Sequence, residues 1–101
     1  VMKVRDVAAA ALELDEALSY FNDIHPELAN SFFHEVVRAK KLISQFPFAW
    51  KNVDNGLKGF VIRRYAYTIV YQIRPETIWV VAYAHHKRRP ASWKKRLRDI
   101  H

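Results

Sequence analysis

The apolar residues of this chain change their spacing part-way along it, from every third or fourth position to every second. A helix brings its side chains back to one face every ~3.6 residues and a strand every ~2, so no single element type can bury both patterns. The chain is therefore expected to be α+β, with helices first and a sheet after them.

In the first half, Asp6 reads as an N-cap, and Val7, Ala11, Leu14, Leu18 and Phe21 then recur at helical spacing. Glu13, Asp15 and Glu16 fall off this stripe, as residues of a solvated face should. The segment Asn22-Asp23-Ile24-His25-Pro26 interrupts the helix, and Pro26 suits the first turn of a second one. That helix runs to about Phe46, with Leu28, Phe32, Val36, Ala39, Ile43 and Phe46 as its stripe and Phe33 and Leu42 widening it. So short a link makes the pair an αα-hairpin. Phe48 to Gly56 holds Trp50 and the turn signal Asn55-Gly56. Strands are expected over Leu57–Arg64, Tyr67–Ile73 and Thr77–His85, joined by tight connections into an antiparallel meander. Val1 to Arg5 reads either as a fourth strand or as a frayed end. The expected fold is a single domain over residues 1–101, in the order βααβββ, with the αα-hairpin on a three- to four-stranded antiparallel sheet. Pro90 to Arg98 is a basic tail of one or two helical turns, with Trp93 and Leu97 on one face.

Composition removes several alternatives. Cysteine is absent, which excludes a disulfide scaffold, and half the 101 residues are hydrophobic, too many for a disordered tail. The longest apolar run, Ile78 to Ala84, has 7 residues, whereas a membrane-spanning helix needs about 20. A cytoplasmic globular protein with no membrane contact is expected. Charge is unevenly spread: residues 1–56 hold 6 basic and 8 acidic side chains, residues 57–101 hold 11 and 2. The second half thus carries a net +9, the counterpart of a polyanion or an acidic protein. A basic surface kept for solubility is the alternative.

The densest cluster is His85-His86-Lys87-Arg88-Arg89, followed by Trp93-Lys94-Lys95-Arg96-Leu97-Arg98. These cations can neutralise phosphates, and Trp93 offers a face on which a base could stack. Alternatively the tail is solvated and Trp93 packs on the sheet. A neutral imidazole beside cations suits general acid–base work better than metal binding, since no Cys or carboxylate cluster accompanies the two histidines. Arg63 and Arg64 either stabilise phosphate charge or pair with helix carboxylates. Gly56 and Gly59 are the only glycines, so there is no phosphate loop, and Ser19, Ser31, Ser44 and Ser92 lack the flanks of a nucleophile elbow. No cofactor and no metal are expected.

Taken together, Phe46-Pro47, Arg63-Arg64-Tyr65-Ala66-Tyr67-Thr68-Ile69-Val70-Tyr71 and Ala84-His85-His86-Lys87-Arg88-Arg89-Pro90 resemble the RelE/ParE toxin superfamily over nearly the whole chain. Its members are toxins of type II toxin–antitoxin modules, which implies a cognate antitoxin as partner. RelE-like members cut mRNA on the ribosome without a metal, and ParE-like members inhibit DNA gyrase without catalysis. The resemblance implies Arg63 or Arg64 as phosphate clamps, His85 or His86 as base, and Lys87, Arg88 and Arg89 as charge stabilisers. Trp93, Lys94, Lys95 and Arg96 would contact the nucleic acid or protein target. Trp93 stands where some nuclease members carry a tyrosine, and an indole cannot titrate.

Overall fold

The computed structural model describes residues 1–54, 56–87 and 93–100, with the side chains of Lys94 and Asp99 outside the description. Five strands and two α-helices follow one another as β1 (Lys3–Asp6), α1 (Ala8–Ile24), α2 (Pro26–Gln45), β2 (Lys51–Asp54), β3 (Leu57–Ile62), β4 (Tyr67–Ile73) and β5 (Thr77–His85). A 3-10 turn, Arg63–Tyr65, joins β3 to β4, and a 3-10 helix, Trp93–Asp99, follows β5. The α+β class and the helix hairpin are as the sequence implies. The sheet is larger than expected and mixed: its order is β1-β5-β4-β3-β2, with β1 parallel to β5 and the other pairs antiparallel. Alternation of side chains is the same in parallel and antiparallel strands, so spacing alone could not reveal the direction of β1. β2 escaped the sequence reading because all four of its residues are exposed and it shows no apolar alternation. It is a short, charged edge strand.

The helix starts also differ from expectation. Asp6 does not cap α1: it is the last residue of β1, in register with Val80. That pairing aims its carboxylate at the Tyr83 hydroxyl, which donates at 2.9 and 3.1 Å, and at Lys40 Nζ, 3.0 Å away. α1 starts from extended Val7 with no side-chain cap, and the Val7 N–H bonds to the Val80 carbonyl at 2.9 Å. Only His25 separates the helices, and it caps α2, its Nδ1 accepting from the Glu27 N–H at 3.2 Å with Pro26 in the first turn.

Both helices lie on the face of the sheet that carries Tyr67 and Tyr71, since the Tyr67 ring meets Phe21 and Phe32 and the Tyr71 hydroxyl donates to the Pro47 carbonyl. Phe32, Val36, Ala39 and Ile43 of α2 are buried as expected, whereas Phe33 and Phe46 are 45% and 57% exposed. In α1 the buried positions are Ala10 and Ala17, and Ala11 faces outward. Small alanines are what let α1 lie close to the sheet, a choice that a stripe drawn through the largest side chains does not see. Val70 and Ala82, side by side on the opposite sheet face, are also fully buried. Ile100 joins the core, and Trp93 and Leu97 pack against it, so the C-terminal 3-10 helix is docked and not a free tail. Among the described residues no helix is long and apolar enough to cross a membrane.

Candidate functional site

The site is built around the β3–β4 connection. The expected strand Leu57–Arg64 ends at Ile62, and Arg63 and Arg64 belong to the 3-10 turn. Tyr65 causes this. Its ring is buried against Phe21 and Phe32, at 5.3 and 5.2 Å between centroids, and its hydroxyl donates to Ser31 Oγ. Pulling Tyr65 inward swings the two arginines outward, and both are exposed. Strand alternation therefore does not separate Arg63 from Arg64. The Arg64 guanidinium lies over the Tyr65 ring, 5.5 Å from its centroid. Ala66 completes the reversal in the left-handed region, at φ 55° and ψ 41°, which costs a residue with a Cβ about 1–2 kcal/mol.

The end of β5 meets this turn. The His86 N–H donates to the Ala66 carbonyl at 2.9 Å, and Tyr67 pairs in register with His85. The histidines follow neighbouring residues of β4 to opposite faces. His85 is half-buried, its ring edge-on to Tyr67 at 5.1 Å. Exposed His86 bonds through Nε2 to Thr68 Oγ1 at 2.8 Å. Thr68 lies over Gly59, where there is no room for a side chain: a Cβ would stand 2.9 Å from Thr68 Cγ2 and 2.6 Å from Val53 Cγ1.

The ring nitrogens are not equivalent. His85 Nδ1 accepts from the Lys87 N–H at 3.1 Å, so its neutral ring carries the proton on Nε2 and can only donate there. His86 Nδ1 takes no hydrogen bond from the described residues and remains available to accept a proton when Nε2 carries the hydrogen. Lys87, next in the chain, is exposed. Arg63, Arg64, His85, His86 and Lys87 thus gather at one end of the sheet. Arg88 and Arg89 lie outside the described residues, as does the Lys94 side chain.

Two expected target-binding residues are engaged elsewhere. Trp93 is half-buried against the core. Arg96 Nη1 donates to Glu13 Oε1 at 2.7 Å and to the Val81 carbonyl at 2.9 Å, while Nη2 donates to Glu13 Oε2 at 3.2 Å. Its guanidinium is therefore committed to the fold. Lys95 and Arg98 are exposed. Glu13, read from sequence as solvated, is half-buried and also accepts from the Tyr83 N–H at 3.1 Å. Its signal was present: it stands three residues after buried Ala10 and four before buried Ala17. Among the described residues no three His, Asp or Glu side chains gather as a metal site would require. A groove between the helices, lined by Leu18, Ser19, Asn22, Ala29, Asn30 and Phe33, shares no residue with this cluster.

No family model matches the chain, and no curated protein matches it in sequence. A solved structure described as the chromosomal ParDE TA system from P. aeruginosa contains a chain that superposes with a TM-score of 0.73. The match covers 83% of this chain and 95% of that one, at 17% identity. The two chains share a fold. At that identity the likeness speaks for the backbone arrangement and not for the side chains at the β3–β4 turn.

Proposed function

We propose that this chain is the growth-inhibiting toxin of a two-protein toxin–antitoxin module, acting in the cytoplasm as a single domain and silenced by an antitoxin that covers its basic half. The observation that carries this reading is the fold shared with a chain of a ParDE system, together with the net +9 of residues 57–101. At the target, the side-chain chemistry suits metal-free cleavage of ribosome-bound mRNA. A 2′-hydroxyl attacking its own phosphate needs a base, cations for the developing charge, and a proton for the leaving oxygen. His86, with Nδ1 open, is the base. Arg63 and Arg64, brought near it by the His86–Ala66 bond, are the phosphate clamps. Lys87 supplies an ammonium at the same strand end, which gives a proton to the leaving 5′-oxygen, and Arg88 and Arg89 follow it in the chain. His85 orients the strand end through its bond to Lys87. No cofactor enters. Inhibition of DNA gyrase without catalysis is the second reading, favoured by the ParDE description of the structural match.

Induced expression, alone and with the neighbouring reading frame, tests both levels. Growth arrest relieved by the neighbour is expected. Loss of translation with cut transcripts selects the nuclease, and gyrase-linked DNA breaks select the inhibitor. A chain harmless at high expression, with no neighbour that binds it, removes the toxin reading altogether.

A further inference from the structure

β1 covers only part of β5. Its register with β5 runs from Thr77 to Val80, and the Val7 N–H closes the last bond of that edge. β5 continues five residues further, to His85, with a bulge at Val81 where Val70 pairs with Ala82 and Tyr71 with Val80. Past the end of β1, the Val81 carbonyl and the Tyr83 N–H have no strand to bond to, and both residues are at most 2% exposed. Water cannot reach them, so the protein must supply a donor and an acceptor.

Glu13 and Arg96 do so as a pair. The carboxylate accepts from Tyr83, the guanidinium donates to Val81, and the two side chains hold each other through both carboxylate oxygens. The pair presents to β5 the acceptor and donor that a further strand would present. Only a planar fork can do this, because Nη1 must reach Val81 and Glu13 while Nη2 takes the second oxygen. An ammonium places the same charge at a single point.

The consequence falls on the C-terminal segment. A 3-10 helix of 7 residues has little stability of its own and takes its place from tertiary contacts. Trp93, Leu97 and Ile100 give it an apolar underside, and Arg96 fixes it to β5 and, through Glu13, to α1. With that side held, Lys95 and Arg98 are left exposed. We propose that Glu13 is a positioning residue: with Arg96 it locks the basic C-terminal segment onto the bare edge of β5, and Arg96 serves through this lock and not as a cation offered to the target. The proposal rests on the reading that the chain is a toxin acting through its basic half.

The test uses the full chain with E13A, E13Q, R96A, R96K and the double variant E13A/R96A. Growth arrest, far-UV circular dichroism and amide exchange at Tyr83 are read for each. E13A, R96A and R96K are each expected to lower potency about tenfold or more, the scale of one charge-assisted pair. The double variant should be no worse than either single one, because all remove the same lock. E13Q keeps an acceptor for Tyr83 and Arg96 Nη1 but sets its amide N–H2 against Nη2, so its potency should fall between the parent and E13A. R96K at parental potency would show Arg96 acting by charge alone and overturn the proposal, as would additive losses in the double variant. R96K keeps the charge and E13Q the acceptor, so they retain the test if the alanine variants unfold. Exchange at Tyr83 should quicken about tenfold in E13A and not in E13Q. Unchanged exchange in folded E13A refutes the lock itself, whatever the chain's target. A parent chain that arrests nothing, with Tyr83 exchange still sensitive to E13A, locates the failure in the toxin reading and removes the positioning role that depends on it.

Discussion

Replacing Phe32 by alanine is the sharpest probe of how the helix hairpin supports the site. Phe32 has no exposed surface, and its ring lies 5.0 Å from Phe21, 5.2 Å from Tyr65 and 5.1 Å from Tyr67 between centroids. Truncating a buried phenylalanine costs about 3–5 kcal/mol from lost burial and the cavity left behind. Three aromatic neighbours put Phe32 in the upper part of that range, about 4–5 kcal/mol, since each well-set ring pair adds beyond area alone. Domains of this size are stable by only about 5–15 kcal/mol, so about a quarter or more of the total goes. At about 4 °C per kcal/mol, the midpoint of thermal unfolding should fall by about 16–20 °C. Phe33→Ala is the internal control: that ring is 45% exposed, and its loss should cost about 1 kcal/mol or less. The folded fraction of Phe32→Ala should also lose activity, because Tyr65 holds the Arg63–Arg64 turn and Tyr67 backs His85. Urea unfolding followed by far-UV circular dichroism measures both variants. A cost below about 1 kcal/mol for Phe32, or equal costs for Phe32 and Phe33, would refute the packing argument.

Gly59→Ala should destabilise the sheet by about 1–3 kcal/mol and weaken activity, since the new Cβ collides with Val53 and Thr68 and Thr68 holds His86. Full stability in the same urea assay would show that β2 can yield at no cost. Under the nuclease reading, His86→Ala should slow transcript cleavage by about 10²–10⁴ and Thr68→Val by a smaller factor, with one limb of the pH–rate profile lost only in the former. His85→Asn, which retains an acceptor for the Lys87 N–H, should cleave nearly as well as the parent. Reversed sensitivities would assign the base to His85. Burial and the neighbouring Asp6 raise the Tyr83 phenol well above its ordinary value of about 10, and burial raises Tyr71 as well. The folded state therefore holds these protons more tightly than the unfolded chain. Their stabilisation is complete below pH ~10 and is lost as pH rises beyond it, by up to about 1.4 kcal/mol per pH unit for Tyr83. Tyr83→Phe should flatten that decline in alkaline urea titrations, and an unchanged slope would mean that Tyr83 ionises as freely folded as unfolded.

Local spacing in the sequence was enough for the helix hairpin and the meander β3–β4–β5. Each depends on near neighbours in the chain: an apolar period, a proline at Pro26, a glycine at Gly56, whose φ of 71° suits a turn few other residues enter. Contacts between residues distant in the chain were decided elsewhere. Whether β1 runs parallel to β5, whether a four-residue segment pairs as β2, and how far β3 extends all depend on what lies across the sheet. The arginines illustrate the limit. Alternation would have set Arg63 and Arg64 on opposite faces, but the pull of Tyr65 into the space between Phe21 and Phe32 ends the strand early and exposes both. Charge count likewise made Arg96 a target contact, and a place off the apolar stripe made Glu13 a surface acid. Their roles were settled by two backbone groups of β5, left bare where β1 stops, which require a donor and an acceptor once water is excluded. A sequence lists the charges, and only the folded chain decides which of them are needed inside.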